Sequence, residues 1–83
     1  MGQIFPIAGE TTIGRDATNG VPLAMDTTVS RRHAVIAADG GGYIIRDQGS
    51  SNGTFVNGQR VEETALRPGD EVSIGGTRFR FEA

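Results

Sequence analysis

Turn-forming residues punctuate this sequence densely and leave mostly short segments between them. Ala8-Gly9, Asn19-Gly20, the run Gly40-Gly41-Gly42, Asn52-Gly53, Asn57-Gly58, Pro68-Gly69 and Gly75-Gly76 each cut off a short apolar or alternating segment. That is the pattern of tight turns between short strands. The intervening segments are rich in β-branched and aromatic residues: Gln3–Ile7, Thr11–Gly14, His33–Ala37, Tyr43–Asp47, Thr54–Asn57, Glu71–Gly75 and Thr77–Glu82. No window of a dozen residues carries an apolar stripe at helical spacing. The chain is therefore expected to be all-β, a two-sheet β-sandwich of about ten short strands with its loops gathered at the ends.

Alternation sets the register of individual strands. In "TRFRF" Phe79 and Phe81 fall on one face and Arg78 and Arg80 on the other; in "EVSI" Val72 and Ile74 alternate with Glu71 and Ser73. Both are half-buried strands, joined in a hairpin turned at Gly75-Gly76. Gly40–Gly42 is expected to be another hairpin tip, because glycine tolerates the positive φ of a two-residue turn.

Size and charge narrow the function. With 83 residues the chain is one domain, residues 1–83, close to the size at which a single core is marginal, which favours a binding module over an enzyme with a deep cleft. There is no cysteine, and no histidine pair at metal-ligand spacing, so no disulfide framework, metal site or other cofactor is expected. All eight basic residues are arginine, yet the net charge is -2. Arginine forks suit carboxylate or phosphate, but an acidic balance disfavours a general nucleic-acid surface, so an anion site should be small and local. No apolar run reaches membrane-span length and no signal pattern opens the chain, so a soluble, cytoplasmic protein with no membrane partner is expected.

Three polar clusters fall at strand ends or in loops: Gly14-Arg15, the group Ser30-Arg31-Arg32-His33, and "GSSNGTFVNG" over Gly49–Gly58. A sandwich can bring such loops together. Arg15, Arg31 and Arg32 could then share a dianion with the hydroxyls of Ser30, Ser50 or Ser51, each charge-assisted bond contributing roughly 1.5–3 kcal/mol. A phosphate is the natural match. Alternatively Ser30 caps a turn, Arg15 is a solvated loop residue, and His33 ties loop backbone together. A serine hydrolase built on Ser30 and His33 fits poorly, since no acid is evidently placed to orient the histidine and no nucleophile elbow is present.

With these motifs in order, "IGRD" (Ile13–Asp16), "VSRRH" (Val29–His33) and "SSNGTFVNG" (Ser50–Gly58), followed by the tail "LRPGDEVSIGGTRFRFE", the chain resembles a forkhead-associated (FHA) domain. The resemblance implies a phosphothreonine-peptide-binding sandwich, FHA/SMAD-like in fold. By that likeness Arg15, Ser30, Arg31 and Ser51 would contact the phosphate, and Asn52 would bond the peptide main chain beside the phosphothreonine. Gly14, His33 and Gly53 would support the loops, while Arg32 sits at a variable position. The implied partner is a phosphothreonine-containing protein, or a phosphorylated segment of the parent chain, made by an upstream Ser/Thr kinase. The alternative is an FHA-like scaffold that binds partners without phosphate.

The family commonly has a further strand ahead of the one read at Gln3–Ile7. Its lack would leave a sheet edge open to pairing, so a homodimer or strand exchange through that edge is expected.

Overall fold

The computed structural model describes residues 9–82. These residues form nine strands: β1 (Thr11–Gly14), β2 (Val21–Pro22), β3 (Ala34–Asp39), β4 (Gly42–Asp47), β5 (Thr54–Val56), β6 (Gln59–Val61), β7 (Glu63–Leu66), β8 (Glu71–Ile74) and β9 (Thr77–Arg80). They form a five-stranded sheet in the order β2-β1-β3-β4-β7 and a four-stranded sheet in the order β6-β5-β8-β9. The all-β sandwich inferred from the turn spacing is what the chain adopts. The strand expected at Gln3–Ile7, and with it the edge expected to dimerise, lies outside the described residues. No described helix is long and apolar enough to cross a membrane.

The pleat explains which residues meet between the sheets. Ile13, Ala34, Ile36, Ile45 and Leu66 point inward from the five-stranded sheet, and Val56, Val72 and Ile74 from the other. Phe81, just past β9, is buried with them, and its ring meets Tyr43 edge-on at 5.4 Å across the interface. On the outer face of the five-stranded sheet Arg46 opposes Glu63 in register, and the pair forms an ion pair at 2.9 Å.

Three strands carry no sequence signal of their own. β2 is two residues long and contains Pro22, while β6 and β7 are largely exposed and lack apolar alternation. Pairing recruits them: β6 is drawn in by the Asn57-Gly58 turn, which brings Gln59 opposite Val56. Asn57 at φ 52 and Gly58 at φ 82 are the two left-handed residues that a type I′ turn requires.

Antiparallel pairing decides where loops meet. Ile13 at the end of β1 lies opposite Ala34 at the start of β3, and Ala34 lies opposite Asp47 at the end of β4. The loops that follow β1, precede β3 and follow β4 therefore emerge at one end of the sandwich, and the last of these leads into β5.

Candidate functional site

His33 is the hub of that end. It is wholly buried, its backbone N–H donates to the Ile13 carbonyl (2.8 Å), and its carbonyl accepts from the Gln48 N–H (2.9 Å). The imidazole Nδ1 accepts the backbone N–H of Ser30 at 3.1 Å. An acceptor at Nδ1 leaves the ring proton on Nε2, which donates to the Gly53 carbonyl at 2.8 Å. One side chain thus links the loop before β3 to the loop before β5. Both ring nitrogens are committed to backbone, so His33 is not the base partner of the Ser30 hydroxyl that the hydrolase alternative needs.

The Arg15 loop presses directly on the Ser30 loop. The N–H of Arg15 donates to the Ser30 carbonyl (3.0 Å) and that of Asp16 to the Arg31 carbonyl (3.3 Å). The approach is so close that a Cβ on Gly14 would fall 2.1 Å from the Arg31 oxygen, so no other residue fits without moving a backbone. The buried Asn19 fastens the same joint: its Nδ2 donates to the carbonyls of Arg31 and Asp16, both at 2.8 Å. Asp16 itself turns back onto Thr18, whose backbone N–H and then hydroxyl hold the carboxyl below its ordinary range, with smaller help from Arg32 and Arg31.

The third loop divides its two serines. Ser50 is buried: its hydroxyl donates to Asp47 Oδ1 (2.5 Å) and accepts the Gly53 N–H (2.9 Å), so it is part of the scaffold and no donor for a ligand. Asp47 also accepts from the Ser50 N–H and the Thr54 hydroxyl. Burial pushes its carboxyl up, but hydrogen bonds from Ser50, Thr54 and Gly49 outweigh this and hold it below the usual carboxylate value. Ser51, by contrast, is exposed, and its backbone N–H donates to Ser30 Oγ at 3.1 Å. Asn52 Nδ2 donates to the Thr28 carbonyl at 2.7 Å.

The Ser30 loop is also anchored from its other side. Asp26 accepts from the backbone and hydroxyl of Thr28, from the Gly76 N–H (2.9 Å) and from the Thr77 hydroxyl (2.8 Å). These bonds, led by the Thr28 hydroxyl, hold the Asp26 carboxyl at about 2. The loop is thereby tied to the β8–β9 hairpin, some fifty positions along the chain.

The structure therefore brings Arg15, Ser30, Arg31, Ser51 and Asn52 onto three touching loops, over the supports Gly14, His33 and Gly53. Asn19, Asp26 and Asp47 are further supports that the motifs did not single out. A faint signal existed, since Asp16-Ala17-Thr18 and Asp26-Thr27-Thr28 share the Asp-x-Thr spacing of Asx turns. Nothing local announces the long-range partners of Asn19 and Asp26. Chemically, two kinds of donor remain. Ser30 Oγ accepts from Ser51, leaving its proton to be given outward. Among the described residues Arg46–Glu63 is the only ion pair, so the guanidiniums of Arg15 and Arg31 make none there. No cluster of metal-ligating side chains occurs among the described residues.

Residues 11–75 match the family model described as the FHA domain. The glycogen accumulation regulator GarA of Mycolicibacterium smegmatis is 45% identical over 71 residues, which cover 86% of this chain and 44% of the relative. The oxoglutarate dehydrogenase inhibitor of Corynebacterium jeikeium is 42% identical over 81 residues, covering 96% of this chain and 56% of the relative. The chain thus spans about half the length of these curated relatives. Among solved structures, Mycobacterium tuberculosis EmbR in complex with a low affinity phosphopeptide superposes with a TM-score of 0.89 at 39% identity, over 94% of this chain and 21% of that one.

Proposed function

Because the chain belongs to the FHA-domain family, we propose that it is a phosphothreonine-peptide-binding module, a signalling adaptor that recruits a kinase-modified partner in the cytoplasm. The observation that carries this is the arrangement around Ser30. Its hydroxyl is aimed by the Ser51 amide and keeps a proton to donate, and the loops that meet at Ser30 carry Arg15 and Arg31, whose guanidiniums make no ion pair among the described residues. Arg15, Ser30, Arg31 and Ser51 close on the phosphate, and Asn52 bonds the peptide main chain next to it. Binding is without chemistry: donors held on preformed loops meet a dianion at little ordering cost. Threonine is preferred over serine only as far as its methyl is buried on binding, worth about 0.8 kcal/mol by area alone. The partner is a phosphothreonine segment of another protein or of the parent chain, produced by a Ser/Thr kinase.

Calorimetric titration with one peptide in phosphothreonine, phosphoserine and unmodified forms tests this. Binding should follow the order phosphothreonine, phosphoserine, unmodified; equal binding of modified and unmodified forms overturns the proposal in favour of a phosphate-independent scaffold.

A further inference from the structure

Arg60 is an exposed residue of β6, the edge of the four-stranded sheet, and none of the motifs above uses it. Its side chain leans back along β5 onto Gly53. A Cβ on Gly53 would lie 2.8 Å from Arg60 Nε and 3.1 Å from Cζ, so the guanidinium occupies the space that a side chain there would fill. Gly53 is a fixed floor, with its N–H bonded to Ser50 Oγ (2.9 Å) and its carbonyl to His33 Nε2 (2.8 Å). Arg60 has no acidic partner, the only ion pair among the described residues being Arg46–Glu63.

The distance to the phosphate position is short. From Ser51 to Gly53 is two residues, at most about 7 Å of backbone, with Asn52 between them. An extended peptide rises at a similar rate per residue. A carboxylate placed within roughly three residues of the phosphothreonine, on the Asn52 side, therefore comes within reach of this guanidinium, whose fork suits bidentate pairing with a carboxylate.

We propose that Arg60, seated on Gly53, is a specificity residue that selects an acidic side chain flanking the phosphothreonine on the Asn52 side of the site. The proposal rests on the phosphothreonine reading above and adds the kind of sequence the site prefers. Because the contact is solvent-exposed, its effect is modest, about two- to fivefold in Kd at low salt, and it shrinks as salt is raised.

The test titrates the protein with a phosphothreonine peptide of neutral flanks and with versions carrying a single aspartate at each of the three positions on either side. At one or more positions on one side only, aspartate should tighten binding about two- to fivefold. Arg60→Gln, which keeps much of the stem over Gly53, should bring that peptide down to the affinity of the neutral one. Arg78→Gln removes an equal charge from the same outer face, about 14 Å away by three strand spacings, and should keep the preference in full. No aspartate preference, or one that survives Arg60→Gln, or one lost equally in Arg78→Gln, overturns the assignment while leaving the phosphothreonine reading intact. No binding of the neutral phosphopeptide overturns that reading itself.

Discussion

The two ends of the sandwich are both closed by polar loops, but they dispose of their polar atoms differently. At the end remote from His33, the Asn57-Gly58 turn and the Arg67–Asp70 turn bolt onto each other. Asp70 accepts Asn57 Nδ2 (3.0 Å) through one oxygen and the Arg67 N–H (2.9 Å) through the other, while Asn57 Oδ1 accepts the Glu71 N–H (2.9 Å). A cavity of about 300 Å³ opens beside them. Its charged lining residues, Arg67 and Asp70, belong to this turn, and Asp70 is occupied on both oxygens. At the His33 end the scaffold is satisfied just as fully, by His33, Asn19, Asp47 and Asp26. There, however, the loops also carry the Ser30 hydroxyl proton and the guanidiniums of Arg15 and Arg31, which make no ion pair among the described residues. Rigidity is common to both ends, and Arg67 at the remote end also lacks an ion-pair partner; three touching loops that gather Arg15, Arg31 and the Ser30 hydroxyl are found at one.

The sharpest way to break this contrast is to remove a surplus donor. Arg15→Ala and Ser30→Ala should each weaken phosphothreonine-peptide binding by roughly 1.5–3 kcal/mol, about ten- to a hundredfold in Kd, with little change in melting temperature. Calorimetry paired with a thermal melt reads both, and unchanged affinity would refute the site assignment.

Removing a support should instead move stability and affinity together. His33→Ala leaves the Gly53 carbonyl and the Ser30 N–H without partners in a buried setting and opens a cavity. The cost is about 2–4 kcal/mol, which for a domain of this size lowers Tm by more than about 8 °C. An unaltered Tm would count against its structural role.

Asp70→Ala at the remote end should lower Tm by less than His33→Ala does and leave phosphopeptide affinity unchanged. If it also weakened binding, the two ends would not be independent.

The smallest expected effect is the response to acid. Asp26, Asp47, Asp16 and Asp70 all have carboxyls held below their ordinary value, Asp26 at about 2. The folded chain therefore binds fewer protons than the unfolded chain in this range. Their contribution is present in full above the unfolded value of 3.8 and is lost as pH falls through the folded values towards 2. Denaturant midpoints measured from pH 5 down to 2 should fall, and Asp26→Asn should fall less steeply over the lowest part of that range. An identical slope in the variant would mean that Asp26 does not anchor the loop.

What could be read in advance follows the range of the physics involved. Turn chemistry and alternation act over a few residues, so the turns at Gly40–Gly42, Asn57-Gly58 and Gly75-Gly76, and the buried faces of β8 and β9, are legible in the sequence. Strands β2, β6 and β7 are not, because they have little apolar pattern and exist through pairing. The division between Ser50 and Ser51 was equally hidden, since adjacent serines are chemically alike until Asp47 claims one of them.

Sequence alone thus determined the class of fold, the short-range turns and the residue types gathered for an anion: arginine forks and hydroxyls at strand ends. Tertiary structure decided which of them are scaffold and which face outward. The Arg31 carbonyl on Asn19, the Gly53 carbonyl on His33 and the β8–β9 hairpin on Asp26 are contacts between segments 12 to 51 positions apart. Hydrogen bonds of that span depend on how the two sheets stack, which no local pattern encodes.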